Sequence, residues 1–249
     1  MNNLNSIQGK SALVLGGSRG IGAAVARRLA AGGASVALTY VQGATAAQAV
    51  VDDIEKAGGR AIAIQADSAD EKAIEAAVTR TREAFGALDI LVNNAGVLAI
   101  APIEEFTTED IDRTLAVNVR AAVIASRAAA RIMGQGGRII HIGSTNAERM
   151  PFAGGAVYAM SKSALQGLTQ GLARDLGPKG ITVNVVQPGP VDTDMNPASG
   201  PMAQGLIPML AAGRYGHPDE VASFVAYLAG PEAGYITGAS LMIDGGFAA

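Results

Sequence analysis

Short apolar segments alternate with alanine-rich segments along the whole chain, and this alternation constrains the fold more than any other feature. It predicts strands at 10–15, 34–40, 60–65, 88–92, 137–142, 181–186 and 239–243, and helices at 20–32, 44–57, 70–85, 107–133, 158–176 and 218–229. The strand segments are almost continuously apolar, which is typical of parallel strands covered by helices on both faces. The sequence therefore predicts an α/β fold built on a doubly wound parallel sheet of about seven strands.

Composition limits the chemistry that the chain can perform. Its 249 residues include no cysteine, and the two histidines, His141 and His217, are too few for a three-histidine zinc site. We therefore predict no disulfide, no cysteine nucleophile and no metal site. The chain is 49% hydrophobic, enough for a large core, so residues 1–249 are expected to form a single domain. Residues 188–217, rich in Pro, Gly and Met, predict a small irregular lobe that contributes little to the core.

Charge and hydropathy exclude some partners. The net charge of −3 argues against a nucleic-acid-binding protein. The chain has no apolar run near the ~20 residues that a membrane helix needs, and residues 1–10 lack the apolar stretch of a secretory signal. We therefore expect a cytoplasmic protein. The first 51 residues contain four basic side chains and no acidic one, a bias that suggests an anionic ligand for this segment.

A glycine-rich turn joins the first strand to the first helix. Gly16-Gly17-Ser18-Arg19-Gly20-Ile21-Gly22 follows the apolar residues Val14 and Leu15. Glycine permits the tight turn and lets the backbone approach a phosphate, while the helix start offers free N–H groups to it. The turn is thus a variant of the dinucleotide-binding fingerprint of Rossmann-like folds.

The end of the second strand bears on which dinucleotide binds. NAD sites usually place a carboxylate there, but the strand ends in Thr39-Tyr40 and no carboxylate occurs before Asp52. Arg19 lies in the glycine turn, where it can face a 2′-phosphate. We therefore predict NADP(H) as cofactor. The alternative is that Arg19 is an ordinary surface residue and that the protein accepts either cofactor.

Tyr158 and Lys162 form a candidate acid–base pair. Residues four apart share one face of a helix, and Tyr158 is the single tyrosine with a lysine four positions later. A nearby ammonium group favours the phenolate and should lower the phenol pKa from ~10. A phenol of lowered pKa is a suitable general acid for carbonyl reduction.

Two further polar residues belong to this candidate site. Ser144 follows the predicted strand 137–142, at the sheet edge where ligands of open α/β folds bind, and its hydroxyl can stabilise a developing negative charge. Asn118 stands between two valines in a predicted helix, an unfavourable place that implies a polar partner. Taken alone, Asn118 is better explained as a structural hydrogen-bonding residue.

The chain resembles the short-chain dehydrogenase/reductase superfamily over essentially its whole length. The motifs that carry the resemblance occur in the family's order: the glycine turn, Asp67, Asn93-Asn94-Ala95-Gly96, Asn118, Ser144, Tyr158-Ala159-Met160-Ser161-Lys162, Pro188-Gly189 and Asp244-Gly245-Gly246. The resemblance implies that Tyr158 donates the proton, Lys162 supports it and holds the nicotinamide ribose, Ser144 orients the carbonyl and Asn118 joins a proton relay. It also implies a homotetramer, or a homodimer, with helices 107–133 and 158–176 as contact faces.

The resemblance further implies a set of cofactor-binding residues. Asp67 would contact the adenine, Asn94 would line the cofactor cleft, and Val191 and Thr193 would hold the nicotinamide end. The full set is Gly16, Ser18, Arg19, Gly20, Ile21, Gly22, Tyr40, Asp67, Ser68, Asn94, Ala95, Gly96, Tyr158, Lys162, Pro188, Gly189, Val191 and Thr193. Leu15 departs from the family, which usually has a structural threonine before the first glycine, and this places cofactor affinity slightly in doubt.

Other conspicuous residues have simpler explanations. His141 lies on a predicted buried strand and is best interpreted as a hydrogen-bonded core residue rather than a base. Asp192 and Asp194 resemble a paired-carboxylate site but are more simply solvated lobe residues. Arg149 is a possible attractor for an anionic substrate. Met195, Met202 and Met209 either line an adaptable apolar pocket or pack the lobe.

Two functions remain open at this point. The first is an NADP(H)-dependent oxidoreductase that reduces a ketone or aldehyde to an alcohol, in keeping with the similarity to ketoacyl reductases and small ketone reductases. The second is a nucleotide-binding regulatory protein with vestigial catalysis, because the segment Gln187–Asp194 resembles a bacterial subgroup associated with cyclic-di-GMP binding and biofilm dispersal. The complete set of Asn118, Ser144, Tyr158 and Lys162 favours the enzyme.

Overall fold

A computed structural model describes residues 7–249, and its centre is one parallel sheet. The strands are β1 (Ser11–Leu15), β2 (Ser35–Tyr40), β3 (Arg60–Gln65), β4 (Ile90–Asn93), β5 (Arg138–Ile142), β6 (Thr182–Pro188) and β7 (Ser240–Ile243). They lie in the order β3-β2-β1-β4-β5-β6-β7, and every neighbouring pair is parallel. The predicted doubly wound Rossmann-like sheet is therefore confirmed.

The helices lie between the strands in chain order. They are α1 (Gly20–Ala31), α2 (Ala44–Lys56), α3 (Glu71–Phe85), α4 (Thr108–Leu115), α5 (Ala121–Ala130), α6 (Ala156–Leu176), α7 (Ala203–Leu206) and α8 (Pro218–Ala229). Capping side chains fix several starts. Thr107 accepts a hydrogen bond from the Asp110 amide at the start of α4, and His217 and Glu220 form a reciprocal capping box at the start of α8.

The core occupies both faces of the sheet. Along β1, Ala12 and Val14 point to the face covered by α1, α2 and α8, whereas Leu13 and Leu15 point to the face covered by α3 and α5. All four side chains are at most 2% exposed. Burial on both faces explains why the strands lack the polar alternation of a half-exposed sheet.

Two sequence predictions need correction. The helix predicted at 107–133 is not continuous, because a π-helical segment at Ala116–Arg120 separates α4 from α5. The lobe at 188–217 was expected to contribute little to the core, but its residues Leu206, Leu210 and Tyr215 are buried against Phe247 near the carboxyl terminus. The lobe therefore has a small core of its own, which the sequence pattern did not indicate because Phe247 lies far along the chain.

The strand order places the candidate residues together. The chain passes from β3 back across the sheet to β4, so the order changes direction between β1 and β4, where ligands of open α/β sheets bind. The segments that follow β1, β4, β5 and β6 all emerge at this edge. Within residues 7–249 no helix combines the length and apolar character needed to cross a membrane.

Candidate active site

The glycine turn after β1 has a backbone that larger residues do not adopt easily. Gly16 and Gly20 have positive φ values of 70° and 53°. A Cβ atom at Gly22 would lie 2.2 Å from the Gly16 carbonyl oxygen and 2.4 Å from the Asn94 side-chain nitrogen. Turn and helix start are thus packed closely together, and neither glycine carries a side chain that would keep a phosphate from the start of the helix.

Two polar side chains outside the turn hold it in place. The Thr39 hydroxyl on β2 accepts a hydrogen bond of 2.9 Å from the Gly16 amide, and its carbonyl accepts one of 2.9 Å from the Gly17 amide. The Asn94 side chain donates to the Gly16 carbonyl at 2.8 Å. Sequence analysis missed Thr39, although a threonine on an otherwise apolar strand was the available signal. Its hydroxyl supports the turn from the neighbouring strand.

The close packing around Gly22 leads to a first prediction. Substituting Gly22→Ala is expected to lower the free energy of unfolding by about 1–3 kcal/mol, because the new methyl group overlaps backbone that cannot move without opening the turn. Gly134→Ala is the matched control, since a Cβ there meets no atom within 4 Å. Urea denaturation of both variants measures the difference; equal stability of the two variants would contradict this account of the turn.

The proposed adenosine end of the cleft has basic character. Arg19 precedes α1, is exposed, and forms no ion pair within the described residues; the first turn of α1 contains no acidic side chain. The Asp67 carboxylate follows β3 and accepts a hydrogen bond of 2.8 Å from the Ala69 amide, while the adjacent Ser68 is buried. Tyr40 is the half-buried last residue of β2. These side chains come from three neighbouring strand ends.

The catalytic candidates meet at the ends of β4 and β5. Tyr158 and Lys162 lie in the first two turns of α6, and Ser144 begins the 3₁₀ turn after β5. The Lys162 Nζ atom donates a 3.0 Å hydrogen bond to the Ile142 carbonyl and lies 5.8 Å from the centre of the Tyr158 ring. Gly96 lies beside both Lys162 and Asn118, since a Cβ there would be 3.4 Å from Lys162 Nζ and 3.5 Å from the Asn118 oxygen.

Burial dominates the protonation of the pair. It raises the pKa of the Tyr158 phenol above its ordinary value, with hydrogen bonding to the Ser144 side chain acting in the opposite direction. Burial also lowers the pKa of Lys162 to about 8. The expectation that Lys162 lowers the pKa of Tyr158 is therefore wrong for this structure, because Lys162 is itself desolvated and its Nζ donates to a carbonyl rather than to the phenol.

Asn118 makes the polar contacts that its position implied. Its side-chain oxygen accepts from the Val97 amide at 2.8 Å, and its nitrogen donates to the Val97 carbonyl and to the Ser161 hydroxyl, each at 3.0 Å. The π-helical segment around Asn118 widens the helix at this point. The Asn118 side chain thus joins the segment after β4 to α6, in agreement with the structural interpretation of this residue.

Gln187 is a residue that sequence analysis missed. It lies on β6 with no exposed surface, and its side-chain oxygen accepts a 2.6 Å hydrogen bond from the Ser144 amide. Its nitrogen donates to the Ser240 hydroxyl at 3.2 Å. A glutamine inside a buried strand was the available signal. Gln187 fixes the backbone of Ser144 and thereby the position of its hydroxyl.

The remaining predicted cofactor residues lie at the same edge. Pro188 ends β6, and a Cβ at Gly189 would lie 2.7 Å from Asp244, so the chain passes close to the segment after β7. Val191 is buried. The Thr193 methyl lies 3.3 Å from the Cβ position of Gly20, which brings the lobe against the glycine turn. Ala95 packs similarly against Gly16, at 2.9 Å from its Cβ position.

A cleft with a volume of about 130 Å³ opens beside Tyr158 and Ser144. Its walls are mainly apolar and come from the turn, the segments after β4, β5 and β6, and the carboxyl-terminal segment. The lining residues include Ile21, Leu98, Phe152, Met195, Met202 and Phe247. Met195 and Met202 thus line the cleft as one interpretation proposed, while Met209 does not.

The other conspicuous residues take structural positions. His141 is fully buried, its Nδ1 atom lies 3.0 Å from the Asn93 amide nitrogen, and burial lowers its pKa to about 4. Its Nε2 atom has no partner in the described part of the chain, so the expected hydrogen bonding is incomplete. The Asp192 carboxylate accepts from the Ala198 amide at 2.8 Å. Arg149 donates to the Phe247 carbonyl and is not among the cleft-lining residues.

Residues 7–249 contain no group of three or more His, Asp or Glu side chains arranged to hold a metal ion. The site instead brings together the Tyr158 phenol, the Ser144 hydroxyl and the buried Lys162, beside a glycine turn.

Comparison with known proteins agrees with this arrangement. Residues 16–248 match a family model described as enoyl-(acyl carrier protein) reductase. The chain is 51% identical over 246 residues to the cyclic-di-GMP-binding biofilm dispersal mediator protein of Escherichia coli (strain K12), covering 99% of this chain and 100% of that protein.

Two solved structures extend the similarity to the whole fold. A short-chain dehydrogenase/reductase from Serratia marcescens is 63% identical, with a TM-score of 0.96 over 98% of this chain and 99% of that one. A short-chain dehydrogenase from Burkholderia cenocepacia in complex with NADP is 60% identical, with the same TM-score and coverage. The chain described here therefore belongs to the short-chain dehydrogenase/reductase family of oxidoreductases.

Proposed function

We propose that the protein is an NADP(H)-dependent oxidoreductase that reversibly reduces a ketone or aldehyde to an alcohol. The observation that supports this most directly is the convergence of Tyr158, Ser144 and Lys162 at one cleft, next to the glycine turn. A purely structural role would not require a half-buried phenol and a fully desolvated lysine at the ligand-binding edge of the sheet.

The glycine turn fits the proposed cofactor. Gly22 and Gly16 leave no room for side chains, so the helix start can approach a pyrophosphate, and Arg19 supplies a cation with no acidic partner within residues 7–249. The NADP complex of the Burkholderia relative supports the same choice. Asp67, Ser68 and Tyr40 would surround the adenosine, and Val191 and Thr193 the nicotinamide end.

The side chains at the cleft would then divide the chemistry. When bound, the reduced nicotinamide supplies a hydride to the carbonyl carbon. Tyr158 donates its phenolic proton to the carbonyl oxygen as negative charge develops there. Ser144 donates a hydrogen bond to the same oxygen and orients the substrate. Lys162, whose Nζ atom donates to the Ile142 carbonyl beneath the phenol, would hold the nicotinamide ribose.

A second prediction tests the cofactor assignment. The Arg19→Ala variant is expected to lose about 10- to 100-fold of its preference for NADPH over NADH, because a charge-assisted hydrogen bond to the 2′-phosphate contributes about 1.5–3 kcal/mol. The ratio of kcat/KM for the two cofactors, measured with one ketone, gives the effect. Arg28→Ala, at the far end of α1, is the matched control and should keep the wild-type ratio. A wild-type preference for NADH would refute the assignment.

A regulatory, nucleotide-binding role is the second candidate function. Its support is the similarity to the cyclic-di-GMP-binding protein of Escherichia coli. We place this role second because the candidate catalytic residues Asn118, Ser144, Tyr158 and Lys162 are all present. Calorimetric titration with cyclic-di-GMP, with and without NADPH, separates the two: tight binding together with no NADPH oxidation across a broad carbonyl panel would reverse the order.

A further inference from the structure

The substrate cleft is lined without charged side chains. Within the described residues, its walls are aliphatic, aromatic or thioether groups with a few neutral polar ones, and no Asp, Glu, Lys, Arg or His is among them. The neutral polar groups are Ser144 and Tyr158 at the reaction centre and Thr145, Asn146, Thr193 and Asn196 around it. Apart from the reaction centre, the cleft therefore offers an incoming molecule apolar surface and neutral hydrogen-bonding groups.

Three basic residues that contact cleft-lining segments or lie on the lobe are already engaged, and a fourth is assigned to the cofactor by the proposed function. Arg149 donates to the Phe247 carbonyl, and its guanidinium carbon lies 5.6 Å from the centre of the Phe247 ring. Arg214, on the lobe, makes two hydrogen bonds of 2.7 and 2.8 Å to the carboxylate of Glu220. Lys162 is buried beneath the reaction centre, with its Nζ atom on a strand carbonyl. Arg19 lies on the cofactor side of the turn.

Exposed carboxylates lie close in sequence to residues that line the cleft. Asp192 and Asp194 stand on the lobe next to Met195, which lines the cleft and is 52% exposed. Both carboxylates are exposed, as is Glu148 on the facing segment, whose side chain is hydrogen-bonded to Gln166. Within the cleft lining, an anionic group would find no cation to pair with.

We infer that the substrate is an uncharged ketone or aldehyde whose non-reacting part is predominantly apolar. This inference rests on the proposed function and narrows it. Burying a carboxylate without a partner carries a large desolvation penalty, whereas apolar surface gains about 25 cal/mol for each Å² buried. The methionines at 195 and 202 add adaptable walls for such a group. Phosphorylated or carboxylated ketones, and a cyclic dinucleotide, do not fit this cleft.

A matched pair of probes tests the inference. Ethyl 2-oxo-4-phenylbutanoate and the free 2-oxo-4-phenylbutanoate share one acyl skeleton, and the ester carries a neutral ethyl group where the acid carries a negative charge. With NADPH at pH 7 we expect kcat/KM of the ester to exceed that of the acid by at least about 30-fold, since the acid must leave its carboxylate unpaired. Equal or greater activity on the acid would overturn the inference while leaving the proposed function intact. Failure to reduce either probe or any ketone of a broad panel would overturn both.

A pair of variants tests whether discrimination against the charged substrate arises from the residues that line the cleft. Met195→Lys places a cation at the cleft wall, and we expect it to raise the ratio of acid to ester activity by about 5-fold or more. Met209→Lys adds the same charge to the same lobe at a residue of similar exposure that does not line the cleft, so its ratio should stay at the wild-type value. An unchanged ratio in Met195→Lys, or an equal rise in Met209→Lys, would contradict the proposed substrate position.

Discussion

Replacing Tyr158 with phenylalanine is expected to lower kcat by about 10²- to 10⁴-fold, the range that general acid catalysis supplies. The phenylalanine ring keeps the shape of the tyrosine and removes the proton that the carbonyl oxygen requires. NADPH binding should be largely unchanged, because the glycine turn and Arg19 hold the phosphate-bearing part of the cofactor away from the phenol. The expected loss therefore appears in kcat and not in the dissociation constant of NADPH.

The measurement combines steady-state reduction of a neutral ketone with fluorescence titration of NADPH. Tyr235→Phe is the control, because the Tyr235 side chain is fully exposed and lies outside the cleft. It should keep wild-type kcat. Turnover retained within threefold in the Tyr158 variant would refute its role as proton donor. Loss of NADPH binding together with turnover would show instead that Tyr158 holds the cofactor.

The fold was predictable because of burial on both sheet faces. A strand such as β1, whose residues Ser11–Leu15 are all buried, is a nearly apolar run in the sequence, and the predicted segment 10–15 differs from it by one residue. The interrupted helix was less predictable. The π-helical segment at Ala116–Arg120 coincides with the hydrogen bonds between Asn118 and Val97, a contact between residues 21 positions apart that no helical periodicity reveals.

The parts of the candidate site that follow directly after a strand could be predicted from the sequence. Residues that follow parallel strands meet at one edge, so Ser144 and the glycine turn could be placed there before their contacts were known. Thr39 and Gln187 could not, because each acts by hydrogen bonding to the turn of a neighbouring strand: β2 supports the turn after β1, and β6 supports Ser144 after β5. Such roles depend on strand register, which the sequence does not contain.

The protonation of the site also required the structure. Spacing along a helix correctly placed Tyr158 and Lys162 on one face, and it suggested that the lysine lowers the tyrosine pKa. The structure instead shows a lysine that is 4% exposed and has its Nζ on the Ile142 carbonyl. Desolvation is therefore the largest cause of the pKa shift of each group.

This buried lysine leads to the second large effect. The variant Lys162→Met is expected to lose turnover. At pH 7 its free energy of unfolding is expected to exceed that of the wild-type apoprotein by about 1–2 kcal/mol. The pKa of Lys162 falls from 10.5 to about 8 on folding, a shift that corresponds to a cost of about 3 kcal/mol for the charged form. Methionine fills a similar space without that cost, and the gain is reduced because the Ile142 carbonyl loses its donor.

The sign of the pH dependence separates this explanation from a simple packing effect. Between pH 8 and pH 10.5 the unfolded chain holds a proton on Lys162 that the folded chain has released, so wild-type stability rises with pH across this window relative to the methionine variant. The stability advantage of the variant should therefore be full at pH 7, shrink steadily above pH 8 and reverse sign before pH 10.5, because the total change of about 3 kcal/mol exceeds the advantage at pH 7.

Urea denaturation of both apoproteins at pH 7.0, 8.5 and 10.0 measures this difference, with the exposed Lys179→Met as the control that should stay within about 0.5 kcal/mol of wild type at each pH. A methionine variant less stable than wild type at pH 7, or an advantage that does not change with pH, would contradict the account. If the advantage is found and shrinks as expected, Lys162 is retained at the expense of stability. Such a cost is expected of a residue kept for chemistry rather than for folding, because a group that only filled space would be better replaced by methionine.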